Sequence, residues 1–184
     1  MPRPPRAFDD GFFHLAAHAS DNRHLFVSDD DRKRFLELLA VIFGRYELVP
    51  AAYTLMGNHY HLILHVPDPR LSRAMQQLHT GYSRTHNRAH RRSAHLFRAH
   101  FLAREITTDQ QLLAAYRYLA LNPVKAGLAP HPLAWPWSSS SAHAGLEPTE
   151  LQLDESSLRS AFDNHPRWRR RYRRLIEDSP QPPP

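Results

Sequence analysis

The chain has 184 residues, enough for one domain with a sound core plus an appendage. Lys and Arg number 24 against 18 Asp and Glu, and the net charge of +6 and pI near 10.0 rest almost wholly on arginine, so a phosphate-bearing partner, nucleic acid first, is favoured over an acidic protein. The absence of cysteine excludes disulfides, zinc ribbons and thiol nucleophiles, and no apolar run reaches the roughly 20 residues of a membrane helix, so no membrane partner is expected.

The opening MPRPPR is basic, but no apolar stretch follows it; a secretory signal is not supported and a cytoplasmic location is the expectation. Residues 12–19 read as a strand, with Phe13, Leu15 and Ala17 on one face and His14, Ala16 and His18 on the other. Asp29–Arg45 reads as an amphipathic helix, opened by Ser28 and three aspartates, with Phe35, Leu38, Leu39 and Ile42 facing the core. Residues 46–56 form a second strand, and Gly57-Asn58 is a hairpin-type turn into the most hydrophobic run of the chain, HYHLILHV. In that strand His59, His61 and Ile63 share one face, while Tyr60, Leu62 and Leu64 share the other. Two imidazoles aimed the same way suit a divalent metal with open positions for substrate. They equally suit a pair of hydrogen-bonded histidines, since 14 of the 184 residues are His.

Pro67-Asp68-Pro69 breaks the strand, and residues 71–90 return to helical spacing through Leu71, Met75, Leu78 and Tyr82. Arg84, Arg88, Arg91 and Arg92 cluster at its end, either answering the helix dipole or contacting phosphate. Within residues 95–106 the latter half reads as a further strand, with Arg98 and Arg104 among its apolar residues. Thr108 opens a helix with Gln111 three residues on, a capping-box spacing, and Pro123 closes it. At about 100° per residue, Leu112, Leu113, Tyr116, Leu119 and Ala120 fall on one arc. Tyr118 lies nearly opposite, with Gln111, Ala115 and Asn122. Tyr116 is therefore a core residue, while Tyr118 and Asn122, four apart, could address one ligand together.

Beyond the helix come Lys125, a loop ending in Trp135-Pro136-Trp137 and four serines, then irregular chain to Asp154. Residues 158–176 are helical in pattern and end in Arg167, Trp168, Arg169, Arg170, Arg171, Tyr172 and two further arginines. The two rings could stack on unpaired bases among cations, or could dock a terminal helix on the core with the arginines solvated. The four closing residues, Gln181 to Pro184, are expected to be disordered.

Four motifs in order, LMGNHYHLILHVP, NRAHRRSAHLF, YRYLALNPVKAGL and WPWSS, resemble the HUH-class single-tyrosine transposases, in particular their REP-associated tyrosine transposase branch. The resemblance runs from about residue 11 to 145. With the composition at either end, the expected organisation is a Pro-rich arm at 1–10, a transposase domain at 11–145 and a basic extension at 146–184. The implied fold is α+β, a ferredoxin-like α/β sandwich with helices packed on one face of an antiparallel sheet. By the same resemblance Tyr118 is the nucleophile, and His59, His61 and Asn122 hold a divalent metal, Mg²⁺ or Mn²⁺. The implied partner is single-stranded DNA hairpins from palindromic repeats, cleaved and rejoined through a 5′-phosphotyrosine by a monomer or homodimer. The residues expected to contact DNA are Arg84, Arg88, Arg91, Arg92, Arg98, Arg104, Lys125 and residues 167–172. Two positions where the family usually has arginine hold His18 and His100. The competing function is a hairpin-binding module that keeps the fold without turnover. Hydrolysis of a small phosphoester would leave the arginines unexplained.

Overall fold

A computed structural model describes residues 10–20, 23–66, 70–93, 95–98 and 100–178. The Pro-rich arm to residue 9, the Pro67-Asp68-Pro69 break and the closing residues lie outside these. The described chain runs β1 (Gly11–His18), α1 (Asp29–Arg45), β2 (Pro50–Leu55), β3 (His59–Val66), α2 (Arg70–Ala89), β4 (Leu102–Ile106) and α3 (Asp109–Lys125). A 3-10 turn (Pro132–Ala134) and three short α-helices follow, α4 (Ser140–His143), α5 (Ser156–Ser160) and α6 (Trp168–Glu177). The strands form one sheet in the order β2-β3-β1-β4, each pair antiparallel, which is the ferredoxin-like arrangement the resemblance implied.

Strand alternation divides the sheet into two chemistries. Phe13, Leu15 and Ala17 of β1 and Tyr60, Leu62, Leu64 and Val66 of β3 enter a core with Phe35, Leu39 and Phe43 of α1 and Met75, Leu78 and Tyr82 of α2. The helix pair of the βαββαβ unit thus covers one face. The opposite face carries the histidines and a second core, in which Ala51, Ala52 and Ile63 meet Leu112, Tyr116, Leu119 and Ala120 of α3.

Local signals account for the helix ends. Ser28 caps α1 by accepting from the Asp31 amide, and the Asp31 carboxylate accepts from the Ser28 amide, a reciprocal capping box. Thr108 caps α3 in the same way, although Gln111 reaches one residue further back, to the Thr107 amide. Pro123 does not close α3 as expected: it lies inside the last turn and the helix continues to Lys125. Termination falls instead to Gly127, whose φ of 68° lets the amides of Gly127 and Leu128 turn back to the carbonyls of Val124 and Pro123.

The WPWSS motif seals an edge of the sheet. Leu55 donates to the Trp137 carbonyl, Ser139 to the Tyr53 carbonyl, and the Trp135 indole to the Leu55 carbonyl at 2.9 Å. The segment therefore occupies hydrogen-bonding positions along β2 that would otherwise be open. Arg32 lies over the rings of Phe26, Trp135 and Trp137, tying α1 to the same corner.

The basic tail is two helices, separated where Asp163 and Asn164 adopt φ of 57° and 52°. Trp168, Tyr172 and Ile176 of α6 are buried in the second core.

Candidate active site

Cross-strand register gathers the histidines. His18 lies opposite His59, Ala16 opposite His61, and His14 opposite both Ile63 and Arg104. All point to the face that α3 covers. His59 and His61 stand with ring centroids 5.0 Å apart, and His18 stacks on His59 at 4.7 Å and 17°. Tyr118 projects from α3 over this group, its ring 5.2 Å from that of His61 and 5.7 Å from that of His14. Tyr118 is 43% exposed whereas Tyr116 is 1% exposed, as the helical-arc argument requires.

Hydrogen bonds set which nitrogens are free. The Oδ1 of Asn58 can only accept, so Nδ1 of His59, 2.7 Å away, carries the proton and Nε2 keeps its lone pair. Nδ1 of His61 lies 3.0 Å from Nε2 of His14. Its own Nε2 is buried with no hydrogen-bond partner, and so are Nδ2 of Asn122 and Oγ1 of Thr54, the residue opposite His61 on β2. Burial and then the facing His18 lower the pKa of His59 to about 4; burial and then His14, His59 and His18 lower that of His61 to about 3. His14 is lowered by burial and by Arg104. At neutral pH both members of the His-x-His pair are neutral donors, the form a cation needs. Two imidazoles, with an amide one turn beyond Tyr118, therefore fit a divalent ion.

His14 is the residue that sequence reasoning passed over. Its signal was its place on the polar face of β1, but its partner lies 47 residues away and the register was not legible.

The basic residues separate into groups. Arg84, Arg88, Arg91 and Arg92 are exposed at the end of α2, Arg98 and His100 are exposed on the following segment, and Lys125 is exposed at the end of α3. Arg104 is exposed on β4, opposite His14. In the tail, Arg167, Arg170 and Arg171 are exposed, but Arg169 pairs with Glu155 at 2.7 Å and lies over the Trp168 ring at 4.1 Å. The expected stacking platform is not present. Trp168 and Tyr172 are 8% and 1% exposed, with Tyr172 against Tyr116 and His143, so the alternative of a docked helix is what forms.

Sheet order, paired histidines and the overlying tyrosine helix together describe the class of the single-tyrosine transposases. Residues 10–121 match the family described as "Transposase IS200 like", and the chain belongs to it. In fold it is similar to a REP-associated tyrosine transposase solved bound to a REP hairpin, with a TM-score of 0.65 over 84% of this chain and 93% of that one at 16% identity. No curated protein matches the chain.

Proposed function

We propose that this protein cleaves and rejoins single-stranded DNA hairpins of the palindromic-repeat type, with Tyr118 as nucleophile and His59, His61 and Asn122 as ligands of a divalent ion. The observation that carries the proposal is the exposed Tyr118 ring 5.2 Å from the imidazole of His61, whose Nε2 is buried without a partner. The REP hairpin bound to the structural neighbour supports the choice of DNA.

The Tyr118 oxygen forms a bond to a strand phosphorus as the bond from phosphorus to the 3′ oxygen breaks. The phenol proton passes to solvent, which reaches the half-open ring, and the departing 3′ oxygen takes up a proton. The product is a 5′-phosphotyrosine. Because phenolate is a good leaving group, a 3′ hydroxyl can reverse the step on a second strand without an external energy source. A bound divalent ion would supply positive charge at the phosphate, where negative charge grows in the transition state. His14 orients His61 through their shared hydrogen bond. Arg104, across the register from His14, adds positive potential at the same face.

Incubating the protein with a labelled hairpin oligonucleotide and Mn²⁺, then resolving the products on a denaturing gel, tests the reading. A protein-linked DNA band that Tyr118→Phe removes is the expected result. Tight hairpin binding with no linked band in any divalent metal would instead establish a binding module without turnover.

A further inference from the structure

The strongest unassigned feature lies on the other side of the sheet, where α1 begins and α2 ends. His86 is 2% exposed, and neither of its ring nitrogens makes a hydrogen bond of good geometry, the adjacent Asn87 side chain offering only a poorly aligned one. A neutral imidazole carries one donor and one acceptor, and among the buried side chains with unpartnered atoms His86 has both ring nitrogens so placed. One helical turn on, Nε2 of His90 lies 3.0 Å from both carboxylate oxygens of Asp31, itself 1% exposed. The rings of His86 and His90 are 4.4 Å apart, and one ligand atom from each of Asp31, His86 and His90 lies within 4.8 Å of the others.

We propose that Asp31, His86 and His90 form a second metal site, distinct from the His-x-His pair, that takes Zn²⁺ and fastens the first turn of α1 to the last turn of α2.

An ion pair alone would account for Asp31 and His90. It leaves unexplained why the buried stripe of α2, which runs through Met75, Leu78 and Tyr82, has an imidazole at position 86. Histidines spaced i and i+4 on a helix present their nitrogens on one side, and two imidazoles with one carboxylate are a zinc-type ligand set rather than one for Mg²⁺ or Ca²⁺. The carboxylate is already oriented. Its Oδ2 accepts the amides of Val27 and Ser28 at 2.9 and 3.1 Å, which leaves Oδ1 to face the histidines. The side chain of His90 is 23% exposed, giving the ion a path from solvent and room for water as the fourth ligand. On binding, Nε2 of His90 exchanges its contact with Asp31 for one to the ion. His86 and His90 alternate in sequence with Arg84, Arg88, Arg91 and Arg92, so an ion there would also steady that cationic turn, where Arg91 has φ of 50°.

The experiment uses the full chain in a His59→Ala/His61→Ala background, which removes the proposed catalytic ligands. After chelator treatment the protein is titrated with Zn²⁺ by calorimetry and with Co²⁺ by visible absorption, and melted with and without Zn²⁺. The expected result is one Zn²⁺ per chain, Co²⁺ bands in the visible, and a melting temperature raised by Zn²⁺. Adding His86→Phe, which fills that position with an apolar ring, removes all three while the metal-free melting temperature is kept or raised. His90→Gln, at the partly exposed ligand, weakens Zn²⁺ at least tenfold and serves should His86→Phe fail to fold. No stoichiometric Zn²⁺ in the double variant, or uptake unchanged by both further substitutions, would overturn the proposal.

Discussion

Nδ1 of His61 and Nε2 of His14 lie 3.0 Å apart across two neighbouring strands, and one hydrogen joins them. If His61 donates, its buried Nε2 keeps a free lone pair; if His14 donates, that nitrogen is an N–H with nothing to bond. Only the first arrangement serves a cation, and His14 then acts by holding His61 in it.

Replacing His14 with Ala should accordingly lower the affinity of the His-x-His site for Mn²⁺ by roughly 10- to 100-fold, the usual effect of losing a partner that orients a ligand. The measurement is Mn²⁺ titration of hairpin cleavage together with direct Mn²⁺ binding. His14→Gln, whose amide oxygen can still accept from Nδ1, should recover part of the loss. Equal affinities in all three proteins would show that the contact is structural only.

Tyr116→Phe and Tyr118→Phe should divide cleanly. Tyr118→Phe removes the covalent adduct and leaves stability unchanged, since the ring is 43% exposed. Tyr116→Phe keeps the adduct and loses about 1 kcal/mol of stability, because its hydroxyl makes only long contacts, 3.3 Å to the Ala51 carbonyl and 3.5 Å to Ser157. Gel analysis and denaturant melts read the two effects separately.

Single-turnover cleavage should run faster in Mn²⁺ than in Mg²⁺ at equal concentration. Mn²⁺, although the weakest of the first-row series, sheds water and accepts nitrogen donors more readily than Mg²⁺, which demands near-ideal octahedral oxygen geometry and dehydrates reluctantly. The metals should reverse in order if oxygen ligands dominate the site.

Stability should fall as pH is lowered from 6.5 towards 4. His79 accepts from the buried Tyr60 hydroxyl at 2.6 Å and stacks on Phe97, and burial, then the facing His100, lower its pKa from 6.5 to about 4. Over that window the unfolded chain holds a proton that the folded one refuses, so stability is full above 6.5 and declines below it. The slope contributed by such a group is about 1.4 kcal/mol per pH unit. His79→Gln should flatten the acid limb of the melting curve by about one proton's worth. His59 and His61 act in the same direction.

In the tail, Tyr172→Ala should cost roughly 3–5 kcal/mol, as for other large buried side chains, and truncation after Ser157 should unfold the second core rather than release an appendage. Arg170→Ala and Arg174→Ala, at exposed positions, should leave stability within about 0.5 kcal/mol. If they touch phosphate, each lowers the log–log salt slope of hairpin binding by roughly 0.7 to 0.9. Melts and binding curves at several salt concentrations separate the two.

Period 2 in β1 and β3 and period 3.6 in α3 were enough to sort His61 from Leu62 and Tyr118 from Tyr116, because each depends on side-chain direction along one element. What escaped were relations between elements. Trp168 and Tyr172 have the same spacing whether they face bases or a core; the difference is Tyr116, more than 50 positions earlier. His14 had a legible face but no legible neighbour until β1 was placed beside β3. Pro123 misled for a local reason, since the αL glycine four residues later, and not the ring, terminates α3.

The two-sided character of β3 also bears on errors of assembly. A slip of one residue against β1 would drive His59 and His61 between α1 and α2 and bring Tyr60 and Leu62 beneath Tyr118. Neutral imidazoles without partners are poorly tolerated in that apolar layer, so misregistered chains are unstable as well as inert. A molecule that has succeeded in burying Leu62 has, by the same act, aimed His61, and a population that is folded is thereby a population whose histidines already face the tyrosine.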